Sequence, residues 1–257
     1  MSSNFSAQSL FPVEGIIAVV TGAGSGIGAM IAKALATNGA SAVYILDIEK
    51  DGIEQIAKQA VYFLPLFGNP LTDPRFKGKE NLHPILCDVT SKPQLQATVD
   101  QIIKERGYIN LLVNNAGMTA APVPVPQPTA ESTIQEVREY YFNTLQTPDQ
   151  AAVFNLNTIA VFNTTFAFIE LLDAGNKMQT KLPKSQVVTV SSAGGFFRGY
   201  GDFVYNASKA ATTHMMKHLA TALVPWDIRS NIIAPGCSYS LPIFARPLLH
   251  CNTNAKS

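Results

Sequence analysis

The chain has 257 residues, 47% hydrophobic and 14% charged, with a net charge of +1, and these proportions suit a soluble globular protein that buries one large core. A charge balance this close to zero, without clusters of Lys or Arg, argues against a nucleic-acid or anionic-membrane partner, since both need a concentrated positive surface. A small-molecule substrate is the expected partner. The opening MSSNFSAQSLFPVE lacks the basic and apolar regions of a signal peptide, and no apolar run approaches the roughly 20 residues of a spanning helix, so the expected compartment is the cytoplasm. Cys87, Cys237 and Cys251 are odd in number and unrelated in spacing, which suggests neither a disulfide framework nor a metal site.

Residues 1–14 read as a polar arm, and 15–240 as one domain followed by a short tail, 241–257. Ile16 to Val20 is an apolar strand that runs into Thr21-Gly22-Ala23-Gly24-Ser25-Gly26-Ile27-Gly28. Behind it Ile27, Met30, Ile31, Ala34 and Leu35 recur at helical spacing until Asn38-Gly39. Strand, glycine turn and helix in this order let backbone approach a ligand closely and aim helix-start N–H groups at a pyrophosphate. Gly22, Ser25, Gly26, Ile27 and Gly28 are the candidate cradle; a turn used only for packing is the plainer alternative. The spacing is T-G-x-x-x-G-x-G, with Ile27 where the third glycine of the more common G-x-G-x-x-G would fall.

Ala42 to Leu46 is a second buried strand and delivers Asp47 nineteen residues after Gly28, where a carboxylate can accept from the adenosine ribose hydroxyls. A 2′-phosphate about 5 Å from that carboxylate would cost ~3 kcal/mol per pair of unit charges at an effective dielectric near 20. NAD is therefore favoured over NADP, with Lys50 close enough in sequence to neutralise Asp47 or to meet a phosphate itself. A turn or helix cap is the structural alternative for Asp47.

A helix is expected from Asp51 to about Ala60, and the Pro-, Gly- and aromatic-rich stretch 61–82 reads as a long connection or insertion. His83 to Cys87 forms the third strand and leads to Asp88, placed to touch an adenine edge. Ser91-Lys92-Pro93 opens a helix with apolar Leu95, Val99, Ile102 and Ile103, ended by Gly107. Ile109 to Val113 is the fourth strand, followed by Asn114-Asn115-Ala116-Gly117, which can hold a turn and line a cleft. The Pro-rich stretch 121–128 reads as a stiff loop, a short helix follows around Ile134 to Leu145, and Asp149 to Leu172 reads as one long apolar helix. Its Asn155, Asn157 and Asn163 need partners, so one of them is expected to face the cleft.

Val187 to Val190 is a β-branched strand that breaks at Ser191, Ser192 and the pair Gly194-Gly195, leaving a hydroxyl at a strand end. Tyr205 follows Ser192 by thirteen residues and Lys209 follows by four more, in an alanine-rich helical segment that runs to Leu223. Residues four apart share a helix face, so phenol and ammonium can enter the same cleft. Ile228 to Ala234 is the sixth strand, turned by Pro235-Gly236.

Thr21 to Gly28, Asp88, Asn114 to Gly117, Asn157, Ser192, Tyr205-x-x-x-Lys209 and Pro235-Gly236, in this order, resemble the motifs of the short-chain dehydrogenase/reductase family over roughly residues 13 to 240. The resemblance implies a Rossmann-type, doubly wound parallel α/β sheet of seven strands, a nicotinamide cofactor, and a tetrad at Asn157, Ser192, Tyr205 and Lys209. Asn157 is preferred to Asn155 because Asn157-x-x-Ala160-Val-Phe is similar to the family's N-x-x-G-x-F, and Ser192 to Ser191 by its distance from the tyrosine. In that scheme Tyr205 exchanges the alcohol proton, Ser192 bonds the same oxygen, Lys209 also holds the nicotinamide ribose and Asn157 supports a water. Asn115 and Asp88 would join the cradle at the cofactor.

The 21 residues after Gly236 are too few for the substrate cover and last strand usual in the family, so a shortened C-terminal part, six strands and an open site are expected. The expected activity is the interconversion of a secondary alcohol and a ketone. Phe196, Phe197, Tyr200 and Phe203 suit a bulky apolar substrate, and the general look resembles reductases of fungal secondary metabolism. A homo-oligomer fits the family. The alternative is a non-catalytic dinucleotide-binding protein inactivated by the shortening; an epimerase or dehydratase is disfavoured by the T-G-x-x-x-G-x-G spacing and the chain length.

Overall fold

The computed structural model describes residues 12–59, 81–120, 125–178, 182–197 and 202–236. Strand and helix alternate from the start: β1 (Ile17–Thr21), α1 (Gly26–Thr37), β2 (Ala42–Asp47), α2 (Lys50–Gln59), β3 (Leu82–Leu86), α3 (Lys92–Glu105) and β4 (Leu111–Asn114). A short helix α4 (Ile134–Arg138) runs into a π-turn (Glu139–Thr144). Then come α5 (Thr147–Phe154), a second π-turn (Asn155–Ile159), α6 (Ala160–Ala167), α7 (Ile169–Lys177), β5 (Gln186–Val190), α8 (Phe203–Ala222) and β6 (Arg229–Ile233).

All pairings are parallel and the order is β3-β2-β1-β4-β5-β6. Val19 of β1 lies between Tyr44 and Leu112 in register. The order reverses between β1 and β4, and in open α/β sheets ligands bind in the crevice beyond the strand ends at such a point. Pro84, which has no N–H to give, sits in β3 at an edge of the described sheet, where a missing donor is tolerated.

Because successive strand residues point to opposite faces, one run of sequence feeds two cores. Ala18, Val20, Val43 and Ile45 pack with Ala29, Ala32 and Ile53 of α1 and α2. Val19, Tyr44, Leu46, Leu112 and Val187 pack with Ile102, Phe168, Leu172 and Met216 on the other face. This is the doubly wound Rossmann-type arrangement expected, in a single domain. The expected seventh strand and the expected C-terminal shortening both concern residues after Gly236, which lie outside the described residues, as do Tyr200, Cys237, Cys251 and most of the 61–82 stretch.

The long helix expected from Asp149 to Leu172 is not continuous. Pro148 starts α5, the π-turn at Asn155–Ile159 interrupts it, and at Phe168 (φ −95°, ψ 3°) the axis bends by 44° into α7. The wide turn gives a physical reason for the phase change: it lets fully buried Asn157 face inward to Met118 and Ser208 while Ile159, Phe162 and Phe166 face outward at about half exposure. Periodicity alone cannot register such a one-residue slip. Among the described residues no single helix is long and apolar enough to cross a membrane.

Candidate active site

A cleft of about 760 Å³ opens beyond the carboxyl ends of the strands, lined by residues that follow all six. Gly22, Ser25, Gly26, Ile27, Asp47, Asp88, Asn115, Ser192, Tyr205 and Lys209 all line it. Two expected site residues do not: Gly28, which packs beneath the cradle, and Asn157, which lies behind the wall. Asn155 does line it.

The glycine turn is held from three sides. Asp47 accepts the Gly24 N–H on one carboxylate oxygen (2.8 Å) and the Glu49 N–H on the other (3.1 Å), so β2 fixes the turn after β1. The Asn115 amide donates to the carbonyls of Thr21 (3.0 Å) and Gly22 (2.9 Å), and the Thr21 hydroxyl oxygen accepts the N–H groups of Asn115 and Ala116. Gly28 is where the turn needs a missing side chain, because a Cβ there would run into the Gly22 carbonyl oxygen and the Asn115 amide. Lys50 is drawn to Glu54 (3.8 Å) in an exposed pair on α2. Asp88 accepts both the N–H (2.8 Å) and the hydroxyl (2.7 Å) of Thr90, which sets its loop at the cleft.

The opposite end is built around a buried cation. Lys209 is only 5% exposed, its Nζ donates to the Val190 carbonyl at 2.9 Å, and burial pulls its pKa down to about 8. Its Nζ stands 5.7 Å from the centre of the Tyr205 ring. Gly117 packs over this group, since a Cβ there would lie 3.2 Å from Lys209 Nζ and 3.1 Å from Asn157 Oδ1. The two serines at the end of β5 diverge. Ser191 is buried, its hydroxyl bonded to the Lys209 carbonyl and within 2.6 Å of Thr213 Oγ1, whereas Ser192 is half-buried and accepts the Gly194 N–H at 3.1 Å.

Asn157 is completely buried. Its Oδ1 accepts the Met118 N–H (2.9 Å), and its Nδ2 donates to the Met118 carbonyl (2.9 Å) and to Ser208 Oγ (3.0 Å), which uses both amide hydrogens. The side chain thus clamps the strand-end segment to the residue before Lys209. Sequence reasoning passed over three members of this network: Ser208, Met118 and Asp202, the last accepting the Tyr205 N–H at 3.0 Å. Only Asp202 left a sequence signal, an acidic residue just ahead of a helical run.

The polar groups of the turn, the carboxylate and the buried cation all face one elongated cleft at the reversal of strand order. The short chain dehydrogenase family signature matches residues 16–67 and 74–241. The chain belongs to the short-chain dehydrogenase/reductase family. It is thereby an oxidoreductase. Among short-chain dehydrogenase/reductases it is 45% identical over 249 residues to VdtF of Byssochlamys spectabilis, covering 90% of this chain and 75% of that protein. An NAD+-bound xylitol dehydrogenase superimposes with a TM-score of 0.67 at 26% identity, over 88% of this chain and 71% of the other. An RhlG/NADP active-site complex of Pseudomonas aeruginosa superimposes with 0.66 at 25% identity, over 88% and 73%.

Proposed function

We propose that the protein is an NAD(P)-dependent reductase or dehydrogenase of the cytoplasm that interconverts a secondary alcohol and a ketone on a bulky apolar small molecule, with Tyr205 as general acid/base. The observation that carries this reading is the half-buried Tyr205 phenol beside a nearly buried ammonium on one face of α8, at a cleft that also receives the Ser192 hydroxyl. Lys209 places its ammonium over the ring of the residue proposed to exchange the alcohol proton, so cation and phenol share one side of the cleft. Ser192 offers a hydroxyl to the substrate oxygen, and Asn157 keeps Met118 and Ser208 in place around Lys209.

The cradle fits a dinucleotide. Gly28 leaves room under the turn that a Cβ would fill, Ser25, Gly26 and Ile27 open α1 at the cleft, and Asp47 stands at the end of β2. When bound, the nicotinamide would supply or accept the hydride. Asp47 favours NAD, because it offers oxygens to ribose hydroxyls and repels a 2′-phosphate, and Lys50 is engaged by Glu54 instead of neutralising it. Asn115 and Asp88 complete the cofactor side of the cleft. The xylitol dehydrogenase with NAD+ and the RhlG complex with NADP support a nicotinamide dinucleotide and leave the choice to these residues.

Phe196, Phe197 and Phe203 are 57%, 67% and 57% exposed, which removes them from the core, but they are not among the residues that line the cleft; a bulky apolar substrate, as in secondary-metabolite reduction, would have to extend beyond that lining to reach them. The test is direct: the purified protein is mixed with NADH or NADPH and bulky ketones such as 1-decalone and 1-tetralone, and loss of reduced cofactor is followed. Tyr205→Phe should lower turnover at least about 10³-fold while leaving cofactor affinity nearly unchanged. Substantial residual turnover would reject Tyr205 as the acid/base. We also infer a homo-oligomer, supported by the outward stripe Ile159, Phe162 and Phe166; a monomer by sedimentation velocity would reject it.

A further inference from the structure

The segment that leaves β4, Gly117 to Ala120, lies between the Asn157 turn and the start of α8, and both neighbours grip its backbone. On the Asn157 side the amide closes on Met118 in both directions. On the other side one carboxylate does two jobs. Asp202, the N-cap of α8, accepts the Tyr205 N–H on Oδ1 at 3.0 Å and the Ala120 N–H on Oδ2 at 3.2 Å. Its own carbonyl accepts the Asn206 N–H at 2.9 Å, starting the helix. A serine or threonine cap would satisfy the helix with one oxygen. Reaching Ala120 as well takes the second oxygen of a carboxylate.

The neighbouring residue adds an independent anchor. Phe203 packs on Tyr141 with ring centroids 5.0 Å apart, and the Tyr141 hydroxyl oxygen accepts from Gln127 at 3.4 Å. Asp202 also lies close enough to Tyr140 for its charge, after burial and Tyr141, to push that phenol's pKa upward. Two stretches of the chain between β4 and α5 therefore dock at the first turn of α8, where Tyr205 stands.

We propose that Asp202 is a positioning residue for the reaction: through its two oxygens it ties Ala120, next to the Met118–Thr119 wall of the cleft, to the helix turn that carries Tyr205, so that wall and phenol keep a fixed relation. The inference rests on Tyr205 being the acid/base. Removing the tether leaves the phenol and the cation in place but lets the wall move relative to them, and misplacement on the scale of 1 Å can cost on the order of a hundredfold in rate.

The experiment compares Asp202→Ser, Asp202→Asn and Asp202→Ala with the unaltered protein. Serine keeps one capping oxygen, and asparagine keeps the shape but cannot accept on both arms. For both, NADH affinity by fluorescence titration should change by less than about twofold, while kcat for 1-decalone or another ketone the protein reduces falls by about tenfold with a smaller change in KM. In both, amide exchange at Ala120, followed by NMR, should speed up by at least about tenfold with Tyr205 still protected. Alanine, which loses both bonds, should show the larger kcat loss. Unchanged kcat in Asp202→Ser, or losses of melting temperature, NADH affinity and kcat in common proportion, would overturn the proposal by reducing Asp202 to a plain helix cap. The exchange measurement needs no turnover, and unchanged Ala120 exchange also overturns it. Tyr205→Phe in the same series separates the outcomes: if that variant stays active, the acid/base reading has failed, whatever Asp202 does.

Discussion

The two ends of the cleft are built by opposite strategies. At the cradle, each polar contact closes a short circuit among backbone groups: Asp47 holds Gly24 and Glu49, and Asn115 holds Thr21 and Gly22. No charge is deeply buried there, and what the cleft receives is a set of backbone positions made available by missing side chains. At the lysine end, a full cation lies 95% out of solvent with the Val190 carbonyl as its bonded partner. The groups around it come from sequence positions far apart: Gly117, Asn157, Val190 and Tyr205. The cradle is a shape that folding produces cheaply. The lysine end is a stored electrostatic cost, held in place by packing.

Lys209→Met should break this contrast most visibly. In the free protein the Lys209 pKa falls from 10.5 to about 8 through burial, and a shift of that size corresponds to about 3 kcal/mol of destabilisation when the side chain is charged in both states. The sign follows from proton counting. Between about pH 8 and 10.5 the unfolded chain holds a proton that the folded chain has released, so this group makes stability rise with pH across that window and contributes its full cost below it. Methionine removes the cost and forfeits the bond to Val190, worth about 1 kcal/mol. The cofactor-free variant should therefore gain about 2 kcal/mol at pH 7, or roughly 4–8 °C in melting temperature. The gain should disappear by about pH 10.5. Turnover should fall by at least a factor of about 100. A variant less stable than the parent at pH 7, measured by thermal denaturation with no cofactor, would contradict the stored-cost view.

The same contrast governs how far each end was legible in the sequence. The cradle could be read locally, because a β-branched strand, a glycine turn and an alanine-rich helix are consecutive, and the carboxylate follows at the end of the next strand. Tyr205 and Lys209 were legible for a similar reason, being one helical turn apart. Asn157 was legible as a residue, but its surroundings were not. It was expected on a continuous helix, and it sits in a π-turn with its amide bonded to Met118 and Ser208. Those partners are 39 and 51 residues away, and no periodic pattern carries pairings of that range. Asp202 was hidden for the same reason, since its cap is local but its bond to Ala120 spans 82 residues.

Asp47 gives the smaller and sharper test, because there geometry and charge can be separated. Asp47→Ala removes the tie to Gly24 and Glu49 as well as the negative charge, so NADH affinity should drop by about tenfold, on the scale of one lost charge-assisted bond. NADPH should lose less, and the ratio of kcat/KM values should move toward NADPH by about 10- to 100-fold, up to the ~3 kcal/mol expected between a phosphate and a carboxylate about 5 Å apart. Asp47→Asn loses the charge and one acceptor but keeps a side-chain oxygen for one of the two N–H groups. If repulsion sets the preference, asparagine should capture most of the shift with little loss of NADH affinity. If alanine shifts the ratio and asparagine does not, Asp47 acts as the brace of the glycine turn, and the cradle discriminates by shape alone. Steady-state kinetics with both cofactors and one ketone decides between these outcomes, and an unchanged ratio in both variants removes Asp47 from selectivity altogether.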